Sequence, residues 1–215
     1  MQFCDYKEIN LYSFRFNQPI FESNYNIFIS KLTDNNDIDK TMNIKSDSLR
    51  LLNFKDNILQ IEFLYSSNNF YKFISTLDSQ SKEEIIKNGS DWFGNSLNTD
   101  TINNIFKQSI CLPNKLPGFP TINFKLDEKC KIVGKKRKKL TQNELKPNME
   151  VELSFSVDGI HFQKNKCNLV YIVHHIKIVN DVCQSFENLF GEDDDAVNTG
   201  NADSEANDVT ASIVK

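Results

Sequence analysis

The sequence predicts a mainly β fold, a small barrel or sandwich that carries helices on one side or end. Three observations lead there. Strand-length segments with apolar residues at every second position occupy both ends of the body, a central stretch switches to a period of 3.6, and the last residues are acidic with too few apolar side chains to fold. A single core supports a domain of about 180 residues, and 17 phenylalanines in a chain that is 39% hydrophobic suffice to fill one. The expected organisation is a folded domain over residues 1–182, with a helical insert over about 68–110, and a disordered acidic tail over residues 183–215.

Each element follows from local pattern. Tyr12, Phe14 and Phe16 alternate with Leu11, Ser13 and Arg15, and Asn26 to Leu32 resumes a strand after Pro19. Asp34 to Asp39 reads as a loop. Ser48–Phe54 and Ile58–Tyr65 flank Lys55, Asp56 and Asn57 as a hairpin, with Leu59, Ile61, Phe63 and Tyr65 on one face and Gln60 and Glu62 on the other. Phe70, Phe73, Ile74 and Leu77 then mark an amphipathic helix beginning near Asn68. Ser81 and Glu84 have capping-box spacing and predict a new short helix, and Asn98 or Thr99 caps a third one bearing Ile102, Ile105 and Phe106. Trp92 and Phe93 between them read as core anchors.

Pro113, Pro117, Gly118 and Pro120 predict a loop, and Thr121–Leu126 a strand. Lys129–Lys139 is too charged for a core element. Val151, Leu153, Phe155 and Val157 alternate, Asp158 and Gly159 are read as a turn, and Ile160–Phe162 as the returning arm. In the closing strand Val170, Ile172, His174, Ile176 and Ile178 are expected to face one way, and Tyr171, Val173, His175 and Lys177 the other.

Charge is segregated. The net charge of -4 hides a body of about +4 over residues 1–180 and a terminal stretch from Asp181 to Lys215 with nine carboxylates and one lysine. Lys135, Lys136, Arg137, Lys138 and Lys139 form an unbroken cationic run. Such a run in a loop neutralises phosphates and releases counterions, giving salt-dependent affinity without sequence preference. Import signalling and plain solubility are the competing readings of the same run. Arg50, Lys125 and Lys177 on polar strand faces are expected to line a groove, and Tyr171 with His175 to offer stacking surface; Phe28, opposite Ile27 and Ile29, is a further candidate ring. Arg15 shares such a face. In the tail, Glu187, Glu192, Asp193, Asp194 and Asp195 would compete with nucleic acid for the cations.

Other classes find no support in the residues. There is no phosphate-binding loop, dinucleotide fingerprint, zinc-protease motif or nucleophile elbow, so the expectation is a non-enzymatic protein without cofactor. Five cysteines with no Cys-x-x-Cys spacing and three histidines, two of them adjacent, indicate neither a disulfide frame nor a metal site. No apolar run reaches the roughly 18–20 residues of a membrane span, and the first residues lack a secretory pattern. The expected location is intracellular, in the host cytoplasm at a viral factory or in the nucleus.

Two stretches resemble a known group. One runs from Asn88 through Trp92 and Gly94 to Leu97, continues with Ile102, Phe106 and Ile110, and ends in Phe119–Leu126. The other joins Leu145, Pro147, Met149 and Leu153 to Asp158–Phe162 and the long last strand. Together, over about residues 88–180, they are similar to small proteins of nucleo-cytoplasmic large DNA viruses and, through them, to single-stranded-DNA-binding proteins of the short-tailed-phage type. The resemblance implies an OB-like β-barrel whose groove binds single strands non-specifically, with an acidic tail that modulates binding and contacts replication proteins. One departure is the ending Ala211–Lys215, where the phage-type tail ends in an aromatic residue; Phe186 and Phe190 instead precede the acidic cluster. The expected function is therefore sequence-independent binding of single-stranded DNA, with RNA as an alternative ligand, in viral replication, recombination or repair. Expected partners are replication proteins reached through the tail and further copies of the chain, with no membrane. The competing expectation is a viral structural or interaction scaffold with a β-sandwich fold.

Overall fold

The computed structural model describes residues 2–94, 98–113 and 118–181. Six short strands open the chain: β1 (Cys4–Asp5), β2 (Phe14–Phe16), β3 (Ile20–Glu22), β4 (Ile27–Ser30), β5 (Leu32–Asp34) and β6 (Asp37–Thr41). The hairpin β7 (Asn43–Lys55) and β8 (Ile58–Phe63) leads into helices α1 (Asn68–Phe93) and α2 (Thr99–Ile105). β9 (Ile110–Cys111), β10 (Thr121–Val133), β11 (Lys139–Leu140), β12 (Glu150–Gln163) and β13 (Lys166–Asn180) complete it.

The five long strands hydrogen-bond in the order β7-β8-β10-β13-β12, and β12 pairs back onto β7 to close a ring. The β10–β13 contact is parallel and the other four are antiparallel. This is the Greek-key connectivity of an OB-like fold, with the helices inserted between its second and third strands. β4 and β3 extend the sheet from the far half of β12, while β2, β5 and β6 form a separate three-stranded sheet. The fold is thus mainly β with a helical insert, as the periodicity predicts.

The core is filled by rings from three adjacent strands and from α1. Phe124 of β10, Phe155 of β12 and Tyr171 of β13 pack with centroids 5.0–5.8 Å apart, and Phe70 of α1 meets Phe155 edge-on at 6.0 Å. The helical stripe Phe70, Ile74, Leu77, Ile85 is wholly buried. Asn98 does cap α2, its side chain accepting from the Thr101 amide at 2.7 Å.

Several expectations change. Ser81 opens no new helix: it is buried inside α1 and its hydroxyl donates to the Leu77 carbonyl at 2.7 Å, because no proline or glycine interrupts the stripe between Leu77 and Ile85. Tyr12 lies in a 3-10 turn (Leu11–Ser13) ahead of β2, and Asp37–Asp39 of the expected loop pair in β6. Tyr65 leaves the inward face of β8, because the strand ends at Phe63 and a 3-10 turn (Tyr65–Ser67) turns its ring out to solvent. β10 does not stop at Leu126; Ile132 is buried and pairs with Leu140 across the basic loop, so the charged run is the turn of a hairpin, not a free segment.

Asp158 and Gly159 are not a turn either. β12 runs straight through them, with Gly159 at φ +128 because a Cβ there would sit 2.1 Å from the Ser30 carbonyl oxygen of β4. The chain reverses later, at Lys164 and Asn165. In β13 the alternation changes phase at a bulge. Phe155 opposes Val173 and Ser154 opposes His175, leaving His174 as the extra residue. Leu169, Tyr171 and Val173 therefore face inward before it, and Ile176 and Ile178 after it. The Phe186, Phe190 and tail-carboxylate expectations, and that for Pro117, lie outside the described residues.

Candidate nucleic-acid interface

Beyond the bulge, the outer faces of four adjacent strands come into register. Lys131 of β10 opposes His175 of β13, which opposes Ser154 of β12, which opposes Lys45 of β7. In-register neighbours point to one side, so these four side chains form a row across the sheet. One step along, Val133, Lys177, Glu152 and Ser48 form the next row.

The basic hairpin makes a wall beside this floor. Gly134 donates to the Lys138 carbonyl at 2.8 Å, and Lys136 and Arg137 both have positive φ, 54 and 60. Two consecutive non-glycine residues in the left-handed region are uncommon and cost conformational energy that the β10–β11 pairing offsets. The loop holds like charges side by side, and a polyanion would relieve that repulsion.

Floor and wall enclose a groove of about 1010 Å³. Seven cations line it, namely Lys45, Lys131, Lys135, Lys136, Arg137, Lys139 and Lys177, against one carboxylate, Glu152. Lys177 reaches Glu152 at 2.8 Å and Lys135 lies 3.5 Å from Asp181, both exposed pairs that contribute little and exchange readily. Between the charges the half-buried side chains of Val133 and Val179 and the polar Ser46 and Ser154 line it, over the inward-facing Ile176 and Ile178. His175 is flanked by the Phe3 ring at 5.4 Å. Burial, reinforced by the Lys131 ammonium, lowers the His175 pKa from its ordinary value.

Of the residues singled out by sequence, Lys135, Lys136, Arg137, Lys139, His175 and Lys177 converge on this groove. Lys138 does not line it; its ammonium lies 3.7 Å from Glu144. Arg50 is elsewhere. Cross-strand register places it opposite Glu62, and the two form a buried pair at 2.9 Å in which burial still pushes the Glu62 carboxyl up. Arg15 lies apart, bordering a cleft between α1 and the small sheet. Tyr171 offers no stacking surface. It is 2% exposed, and its hydroxyl meets Ser109 at 2.8 Å, which in turn donates to the buried Asp78 of α1 at 2.6 Å. The bulge shifts the face assignment of β13, which is why Tyr171 and His175 part company. Lys45 and Phe3 were missed because each is a lone residue in sequence, and Lys131, inside the charged Lys129–Lys139 run, was passed over because only its pairing opposite His175 places it on the floor.

Lys125 lies in a second cleft, of about 640 Å³, farther along the same outer face of β13. There the turn between β3 and β4 holds Tyr25 over the sheet, with the Lys125 ammonium 5.3 Å from its ring. Asp158 borders this cleft. Burial opposes its charge, but hydrogen bonds from His161 at 2.7 Å and Lys31 bring its pKa down to about 2. Phe28 packs on Phe21 at 5.1 Å, both exposed.

Between groove and cleft, His174 spans the bulge, Nδ1 at 2.7 Å from Asp127 and Nε2 at 2.9 Å from the Ser156 hydroxyl. The order resembles a hydrolytic triad, but Ser156 is buried and lines neither opening, so the chain of hydrogen bonds pins the bulge. Among the described residues no helix is long and apolar enough to cross a membrane.

No protein-family model and no curated protein matches this chain. Solved structures similar to it include the single-stranded DNA-binding protein from bacteriophage Enc34, at 11% identity and a TM-score of 0.45, covering 84% of this chain and 95% of that one. A structure of the Enc34 protein in complex with ssDNA covers 70% of this chain and 90% of that one at 11% identity and a TM-score of 0.43. The gp2.5 single-stranded DNA-binding protein encoded by bacteriophage T7 is similar at 10% identity and a TM-score of 0.46, covering 67% of this chain and 94% of that one.

Proposed function

We propose that the groove between the basic hairpin and the outer sheet face binds single-stranded DNA without sequence preference. The observation that carries this reading is the convergence of seven cations from four separate strands and one loop on a single concavity, with Val133, Val179 and the His175 ring between them. A charged backbone flanked by flat apolar bases matches such a surface, since phosphates meet ammonium groups while unpaired bases shed water against the floor. A duplex hides its bases and would leave Val133, Val179 and the His175 ring unused.

The broader role we propose is replication, recombination or repair of a viral genome. In that role residues 183–215 act as an acidic arm that competes for the cations and, once displaced, engages replication proteins. The test is fluorescence polarisation with labelled oligo-dT and a duplex of equal length at two salt concentrations. The reading expects tighter, strongly salt-dependent binding of oligo-dT; equal affinity for both would favour a polyanion-binding scaffold instead.

A further inference from the structure

The cleft beneath the β3–β4 turn has a chemistry different from that of the groove. Tyr25 is 64% exposed and offers one free ring face, with a single cation, Lys125, beside it. The amides of Asn123 and Gln163 line the cleft, are exposed, and make no hydrogen bond among the described residues. Glu22, also lining it, has no ion-pair partner among the described residues. The other charges there are already committed, Asp158 being bound by both Lys31 and His161. Ring, free amides and one free carboxylate are poorly suited to phosphate, which the carboxylate repels. They suit the edge and face of a single base.

We infer that this cleft holds one unpaired base of the bound strand, stacked on Tyr25, and prefers bases carrying an exocyclic amino group over thymine. The inference rests on the groove being the site of the strand. Continuity supports it: Val170 and Ile172 of β13 border the cleft, and His175 and Lys177 of the same strand border the groove. At roughly 3.3 Å per residue the two openings lie about 15 Å apart on one face, a span that a strand of a few nucleotides covers. Stacking is indifferent to base identity. Selectivity comes from the edge, because a carboxylate accepts from the amino groups of cytosine and adenine, and an amide can both donate and accept. Thymine has no amino group to offer the Glu22 carboxylate, and its carbonyl oxygens would face that carboxylate unfavourably.

Oligo-dC and oligo-dT of one length and charge separate the two contributions at neutral pH and moderate salt. The full chain should bind oligo-dC more tightly by roughly tenfold, the discrimination of one good edge contact. The double variant Glu22→Ala with Asn123→Ala should lose that preference, chiefly through weaker binding of oligo-dC. Tyr25→Ala should weaken both by roughly tenfold, and Tyr25→Phe should restore both. Replacing the loop cations by alanine should lower both affinities and keep their ratio. Equal affinity of the unaltered chain for the two oligonucleotides, or a preference that survives Glu22→Ala with Asn123→Ala, overturns the inference and leaves the groove reading standing. No binding of either at low salt overturns both.

Discussion

Replacing Lys135, Lys136, Arg137 and Lys139 by alanine perturbs the groove without touching the core, because all four are exposed loop or edge residues. If a single strand contacts the seven cations that line the groove, counterion release at about 0.7 per phosphate gives a slope of log affinity against log salt near about -5. Between about 50 and 200 mM salt the unaltered chain would lose about a thousandfold in affinity for oligo-dT. The four-alanine variant keeps Lys45, Lys131 and Lys177, for which the same relation gives a slope near about -2 and a loss of about twentyfold. Polarisation titrations at four salt concentrations would resolve this change of about three in slope. Circular dichroism checks that the hairpin variant remains folded. A folded variant whose slope equals that of the unaltered chain would show that the loop makes no phosphate contact, and the reasoning from groove to ligand would be wrong.

Four further outcomes test separate parts of the account. His175 is held towards its neutral form by burial and Lys131, and a polyanion favours the charged form; oligo-dT affinity should therefore rise as pH falls from about 7.5 to about 5.5, and His175→Gln should remove that rise. Asp158, with its pKa down at about 2, contributes stability that is present at neutral pH and lost as pH falls towards that value; Asp158→Asn should cost about 2 kcal/mol at pH 7 in urea unfolding and little near pH 2. Arg50→Ala should cost about 3 kcal/mol, because Glu62 is left buried and unpaired, and should leave the salt slope unchanged. Gly159→Ala forces a Cβ onto the Ser30 carbonyl and should cost about 3 kcal/mol or more, read as a shift of the thermal midpoint.

The elements with clean periodicity were legible without coordinates. The β7–β8 hairpin, the start of α1, the Asn98 cap and the inward set of β12 all follow from apolar spacing or a single capping side chain. What stayed hidden depended on register between distant segments. One inserted residue, His174, inverts the face of everything after it in β13, so a strict alternation assigned Tyr171 and His175 to the same side. Gly159 beside an aspartate looks like a turn, and only the crossing of β4 shows why glycine is needed there. The basic run announced half of the groove, because five cations in sequence are visible as such. Of the other half, Lys177 was visible on a polar strand face, but Lys45 and Lys131 join it only by pairing across β7, β10, β12 and β13. Arg50 and Lys177 look alike in sequence; Glu62 opposite one and open groove beside the other set their different fates.

Hydrogen exchange of the full chain with and without oligo-dT tests the central claim most directly. Protection should appear over residues 131–139 and 175–179 and in the Lys45 segment of β7, where floor and wall meet the strand. Protection confined to α1 or to the small β2-β5-β6 sheet, with the basic hairpin exchanging as fast as in the free protein, would contradict it.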